Sequence, residues 1–141
     1  MKPRLLDLLA CPACKGNLVL RADQVAGEDT VAGTLACPPC RASYPIVAGI
    51  PRFVSRDGYA ESFGDEWHRF RTVQLDSANG TRESEVGFAL KTGLKLEDVK
   101  GRLVLDAGAG AGRYTEVMAR WGAEVVAIGR ASCRERVWIP V

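Results

Sequence analysis

The 141-residue sequence predicts an α/β chain of two unlike parts. One is a small N-terminal ribbon of short β-strands. The other follows a helical stretch and is the first β-α-β of a Rossmann-like domain, incomplete in this chain. Three observations carry this reading. Two C-x-x-C pairs, Cys11-Pro12-Ala13-Cys14 and Cys37-Pro38-Pro39-Cys40, have 22 residues between them. An apolar run at 103–105 ends in an acid, Asp106, and then in three glycines at alternate positions, Gly108, Gly110 and Gly112. After a helical pattern, residues 125–128 supply a second apolar strand.

The cysteine pairs come first in the chain. Each pair presents two thiolates from one tight turn, and two such turns face to face complete a tetrahedral four-sulfur site. Zinc suits that donor set best, with iron a poorer match. The expected ligands are Cys11, Cys14, Cys37 and Cys40. A closed four-sulfur site has no open coordination position, so the metal is structural, not catalytic. Two disulfides or a redox dithiol are the competing readings of the same residues. Gly16, just after the first pair, fits a turn needing positive φ, and Ala42 holds the matching place in the second.

Around the knuckles, residues 17–22 read as a strand with Leu18 and Leu20 on one side. Residues 23–32 read as a polar loop and 33–36 as a second strand. Two apolar pieces flank a turn at Ala48-Gly49. This is a zinc ribbon over residues 1–55, too small for a core of its own and tied together by metal.

The totals fit a globular chain: 47% hydrophobic, 26% charged, net charge +2. So small a charge gives no argument for nucleic acid. The sequence has no apolar run long enough to span a membrane, and residues 5–10, broken by Asp7, are too short for a signal peptide. The expected compartment is the cytoplasm, where paired cysteines more often hold metal than form disulfides.

Residues 56–101 read as a helical lead-in. Tyr59, Phe63, Trp67 and Phe70 share one helical face, weakened by Gly64, and read as packing residues. His68 lies two positions off that face and reads as an exposed polar residue. Asn79-Gly80 marks a turn, Thr81 caps a helix carrying Glu83 and Glu85 in its first turn, and Gly93 ends it.

Residues 102–128 then give strand, glycine turn, helix and strand. Tyr114, Val117, Met118 and Trp121 share one helical face, and the helix stops at Gly122. Glycines let backbone approach a ligand closely, and a helix N-terminus offers unpaired N–H groups. The dinucleotide pattern G-x-G-x-x-G is not met, because Arg113 stands at its third glycine. No Gly-Lys-Ser/Thr follows, so the turn is not a P-loop.

Two resemblances follow from these residues. An acid followed by G-x-G-x-G at a strand end resembles the first motif of class I S-adenosylmethionine-dependent methyltransferases. That resemblance implies a cofactor site at Asp106, Gly108, Gly110 and Gly112, with the acid holding the amino end of S-adenosylmethionine. The opening Leu8-Leu9-Ala10-Cys11-Pro12-Ala13-Cys14, Gly16, Tyr44-Pro45-Ile46 and Gly49-Ile50-Pro51 resemble the small zinc-ribbon activating partners of tRNA and release-factor methyltransferases, and their fused bacterial relatives. Ser62 to Phe70 resembles the segment leading into the catalytic domain of such fused enzymes, where it covers part of the pocket.

Together the resemblances imply a zinc-ribbon-fused methyltransferase, an enzyme by family, acting on RNA, a small molecule or a protein. No catalytic residue is assigned, and the chain alone is expected to be inactive. Gly129 stands where that family carries a ribose-binding acid. Residues 129–136 have no periodicity that extends the fold, and 128–137 resembles one reading frame of a sequencing-adapter oligonucleotide, the alternative being a frameshift or a divergent short protein. The expectation is therefore a non-native tail over 129–141 on an N-terminal fragment, with no role for Cys133. The alternatives are a non-enzymatic zinc-ribbon adaptor and an RNA-binding module, the latter without a basic stripe near the knuckles.

Overall fold

The structure is a computed structural model and describes residues 1–54 and 73–129. The chain divides into two compact units, Met1–Ser55 and Arg56–Val141. The aromatic face at 59–70, Gly64, His68 and the tail from 130 onward, including Cys133, lie outside the described residues.

The first unit opens with a 3₁₀ helix, Pro3–Leu8, whose proline occupies the first helical position. Four antiparallel strands follow: β1 Val19–Ala26, β2 Asp29–Ala36, β3 Ser43–Val47 and β4 Ile50–Pro51, paired in that order. The segment 23–32, expected to be a loop, is mostly strand. It forms the end of a hairpin in which Val25 faces Thr30, turning at Gly27 with φ +61°. Its polar residues misled the sequence reading because β1 is an edge strand facing water, and a register shift after Ala22 breaks its alternation. The turn at Ala48-Gly49 is present, with φ 51° and 77°. Positive φ at both central residues matches the twist of a tight hairpin.

The ribbon does gather a small core: Met1, Cys11, Leu18, Leu35, Cys37 and Ile46 are buried together. Two of these six are cysteines, so the apolar cluster and the four-sulfur cluster are one structure. The backbone of Met1 exchanges hydrogen bonds with Thr30 in both directions, which fastens the chain's first residue to β2.

The second unit contains α1 Asp76–Asn79, α2 Glu83–Thr92, α3 Leu96–Val99, β5 Leu103–Ala107, α4 Arg113–Arg120 and β6 Glu124–Ile128. Gly80 and Gly93 end α1 and α2 in the left-handed conformation, at φ 70° and 71°. At the N-terminus of α2 the expected cap, Thr81, accepts from the Glu83 N–H only at a long 3.5 Å. The buried carboxylate of Asp76 accepts from the N–H of Ser84 and Glu85, a partner seven residues before the helix starts and invisible to local spacing. Lys95 N–H donates to Asp98 Oδ2 at 2.8 Å, closing the first turn of α3.

Strands β5 and β6 run parallel, with Asp106 opposite Ala127, and α4 connects them. Val117, Met118 and Trp121 on α4 pack with Phe88, Val99 and Ala123, and Tyr114 leans on the same cluster. Phe88 lies 5.6 Å from Trp121 in an edge-on arrangement and 5.4 Å from Tyr114. The strand expected to be buried is only half so: Leu103 and Leu105 are exposed, while Val104 alone of the three turns to the core. The periodicity of two is the cause, since the described helices cover one face of this pair of strands.

Candidate metal centre

The two knuckles are built alike. Cys11 N–H donates to the Gly16 carbonyl at 2.9 Å, and Lys15 N–H to the Cys11 carbonyl at 2.8 Å. In the second knuckle Cys37 N–H donates to Ala42 and Arg41 N–H to Cys37, both at 2.8 Å. These paired bonds curl each C-x-x-C segment so that both thiols face inward.

The left-handed residue in each turn is not the one expected. It is Lys15 and Arg41, each at φ 62°, one position before Gly16 and Ala42. Gly16 serves a different need, space. A Cβ there would stand 3.1 Å from Pro39 Cγ, 3.3 Å from Cys14 Sγ and 3.6 Å from Cys37 Sγ.

The four sulfurs lie within 4.8 Å of one another. Contacts between the knuckles are closest, Cys14 to Cys37 at 3.4 Å and Cys11 to Cys40 at 3.6 Å. A tetrahedral zinc with bonds of ~2.3 Å requires sulfurs about 3.8 Å apart, so the cluster is compatible with zinc. All four are free cysteines. Cys11 and Cys37 sit in the ribbon core, whereas Cys14 and Cys40 face solvent.

The electrostatics of the cluster are compatible with a bound cation. The Tyr44 hydroxyl, 3.3 Å from Cys11 Sγ, is the main reason that thiol is lowered to about 6, with burial opposing it and knuckle N–H groups helping. Cys37 is held down by the Cys40 N–H, but burial and the three neighbouring sulfurs push it up to about 12. Cys40 is also raised, its own backbone bond to Ala42 being outweighed by Cys14, burial and Cys11. One thiolate therefore forms easily while Cys37 and Cys40 resist, until a divalent ion compensates the charge. Tyr44 is the neighbour of the sulfurs that sequence reasoning did not place there. Its sequence signals are its place in the Tyr44-Pro45-Ile46 motif and a hydroxyl-bearing aromatic at the start of the strand leaving the second knuckle.

In the second unit, Asp106 closes β5 and its carboxylate accepts from the Thr115 hydroxyl of α4. Gly108, Gly110 and Gly112 have φ of 89°, 54° and 84°, so all three need glycine's freedom. The N–H groups of Gly108 and Ala109 donate to the Ile128 carbonyl at 2.7 and 3.0 Å, which folds the turn over the end of β6. A Cβ at Gly129 would touch Ala109 and Gly110 nitrogens at 3.5 Å. Among the described residues no helix is long and apolar enough to cross a membrane.

Comparison with known proteins places the ribbon. A family model described as Trm112p-like protein matches residues 2–49. A UPF0434 protein of Dechloromonas aromatica is 43% identical over 51 residues, which is 36% of this chain and 74% of that protein. Its counterpart in Methylobacillus flagellatus is 41% identical, with 72% of its length covered. A tetraacyldisaccharide 4'-kinase of Nitrosomonas eutropha is 45% identical over 51 residues, but the chain spans only 11% of that kinase. Among solved structures, a complex of the Haloferax volcanii Trm112 methyltransferase activator has a chain 34% identical to this one. The match covers 39% of this chain and 93% of that chain, with a TM-score of 0.37.

These findings correct the expectation of an enzyme by family. The matched residues, 2–49, contain the four-cysteine cluster, which as a metal site would be closed, and stop well before the glycine turn. Such a cluster uses every donor to hold its metal and leaves no coordination position at which chemistry takes place. With 43% identity across 74% of a UPF0434 protein, the chain belongs through its N-terminal ribbon to the UPF0434 family, and residues 2–49 of that ribbon match the Trm112p-like model.

Proposed function

We propose that this chain is a non-enzymatic adaptor whose metal-clipped ribbon docks on a methyltransferase and supports its activity. The observation that supports this most is the match of residues 2–49 to the Trm112p-like family, through a ribbon whose four cysteines could hold a structural metal. The activating partners that the sequence resembles act by binding a catalytic chain, which is work for a rigid surface and not for a reactive group. The ribbon offers such a surface: two knuckles meet at the sulfurs, beside two hairpins and a six-residue core that includes two of the cysteines. The proposed metal is zinc, on Cys11, Cys14, Cys37 and Cys40, in a cytoplasmic setting that keeps the thiols reduced.

The test is co-expression of the full chain with class I methyltransferase catalytic chains from the same genome. Under the adaptor reading, a stoichiometric complex forms, and the catalytic chain gains solubility and affinity for S-adenosylmethionine. If no catalytic chain co-purifies, and the chain instead binds RNA with steep salt dependence, the RNA-binding alternative replaces it.

For the second unit, the proposed ligand-facing turn is Asp106, Gly108, Gly110 and Gly112, with S-adenosylmethionine as ligand. Support comes from the three positive φ angles and from the carboxylate at the strand's end. Calorimetry on a longer homologous chain tests it. Asp106→Ala is expected to weaken binding by about 2 kcal/mol through loss of a charge-assisted contact, and parental binding would reject the assignment.

A further inference from the structure

We infer that Tyr44 is part of the metal centre, as the hydrogen-bond donor to the Cys11 sulfur that helps retain the metal. The inference rests on the metal-centre reading above and goes beyond it by naming a residue outside the four ligands. Tyr44 Oη lies 3.3 Å from Cys11 Sγ. A metal-bound thiolate carries no proton, so in the loaded ribbon the hydroxyl must be the donor and the sulfur the acceptor.

The hydroxyl is held there by the fold. Tyr44 lies in β3, opposite the fully buried Leu35 of β2, only two residues before Cys37. Its ring packs on Phe53 with centroids 5.0 Å apart and planes inclined at 58°. Strand pairing therefore fixes the backbone and Phe53 fixes the ring, leaving the oxygen aimed at the sulfur. Because Cys11 is itself buried, water is a poor substitute for that donor. Partners of this kind orient metal ligands and damp their negative charge. Their removal typically costs about 10–100-fold in metal affinity.

The experiment uses the full chain loaded with zinc and measures zinc transfer to a chromophoric chelator. A parent that holds less than half an equivalent of zinc would defeat the metal-centre reading itself, a result separate from the one at issue. Given a loaded parent, Tyr44→Phe keeps the ring and deletes the oxygen, and is expected to lose zinc about 10-fold more readily. Phe53→Leu disturbs the ring packing but leaves the hydroxyl, and is expected to behave much closer to the parent. In the cobalt(II) forms, Tyr44→Phe is expected to shift the thiolate-to-metal charge-transfer band to lower energy, because an undamped thiolate gives up charge more easily. Parental zinc loss and an unshifted band in Tyr44→Phe overturn the inference. So does equal zinc loss in both variants, which would mean that ring packing alone matters. Should Tyr44→Phe fail to fold, NMR of the cadmium-loaded parent decides: a slowly exchanging Tyr44 hydroxyl proton supports the bond, and its absence overturns it.

Discussion

Asp76 accepts a 2.9 Å hydrogen bond from the backbone N–H of Ser84, eight residues further on, and thereby caps a helix it does not belong to. Its second oxygen takes the Glu85 N–H at 3.0 Å, and Arg120 of α4 stands 3.5 Å away. Glu85 accepts from both Arg120 and the Trp121 indole N–H, so α1, α2 and α4 are joined by one polar network. Asp76→Ala removes the cap and leaves buried donors unsatisfied, a loss of about 2–3 kcal/mol for the second unit. Urea unfolding followed by circular dichroism measures it.

The same carboxylate gives the unit a pH dependence. Burial pushes Asp76 up, but the Ser84 and Glu85 N–H groups, the Ser84 hydroxyl and Arg120 together hold it below the ordinary value. Glu85 is also lowered, first by Arg82 and then by Trp121. Groups depressed in the folded state contribute stability that is present above their unfolded values, about 3.9 and 4.3, and lost as pH falls through the folded ones. Unfolding free energy should therefore be flat near neutrality and decline below about pH 5. Asp76→Asn should flatten that decline, and an unchanged acid limb would show the network to be unimportant.

Gly33 tests the ribbon's packing. A Cβ on this β2 residue would stand 2.4 Å from the Arg21 carbonyl oxygen and 3.1 Å from Ala22 Cα, both backbone atoms of β1. Nothing flexible can yield, so Gly33→Ala must spread the hairpin, at about 1–3 kcal/mol. Gly27 at the hairpin turn is the control. A Cβ there meets nothing within 4 Å, so only the strain of φ +61° remains, about 1 kcal/mol. Thermal melts of the two variants should rank Gly33→Ala as the less stable.

How much of this was legible in the sequence depended on whether the cause was local. The four cysteines announce themselves because metal-binding knuckles need their donors at fixed spacing. The turn at Ala48-Gly49, the stop at Gly93 and the inward face of α4 follow from backbone freedom and the helical period. Three features did not follow. The cap from Asp76 joins residues eight apart through a turn. The Tyr44 to Cys11 bond spans 33 positions and depends on the pairing of β2 with β3. The middle of the first hairpin looked like a loop because an edge strand has little reason to alternate. The activity was misjudged for another reason. The glycine turn and the ribbon each resemble part of a fused enzyme, whereas the family match lies in the ribbon alone.

Lys15 and Arg41 occupy left-handed backbone at φ 62°, where glycine is the least strained residue. A side chain there costs roughly 1–2 kcal/mol, partly offset by the greater freedom that glycine has when unfolded. Lys15→Gly and Arg41→Gly should each raise ribbon stability by about 0.5–1 kcal/mol. Gly16→Ala is expected to act oppositely, because its new methyl group would press on Pro39 and the Cys14 sulfur. If the glycine variants are less stable than the parent, the two cations contribute something beyond the turn.

Removing one buried ligand tests the metal and the independence of the two units together. Cys37 belongs to the ribbon core and lies 3.4 Å from Cys14, so Cys37→Ser takes away a thiolate and exposes the cluster at once. Structural zinc supplies on the order of 10–16 kcal/mol of apparent binding energy in small zinc-finger peptides, far more than so small a core provides. The ribbon should therefore lose its zinc and unfold. The second unit has its own core around Phe88, Val117 and Trp121, and its own polar network, neither of which includes a cysteine. Its urea transition should survive in Cys37→Ser at the parental midpoint. Chelation of the parent at neutral pH should reproduce the variant's behaviour, and acid should do the same by protonating thiolates that a metal had held charged. A parent containing zinc that keeps its ribbon folded after complete chelation would show that the four sulfurs are not what holds this unit together.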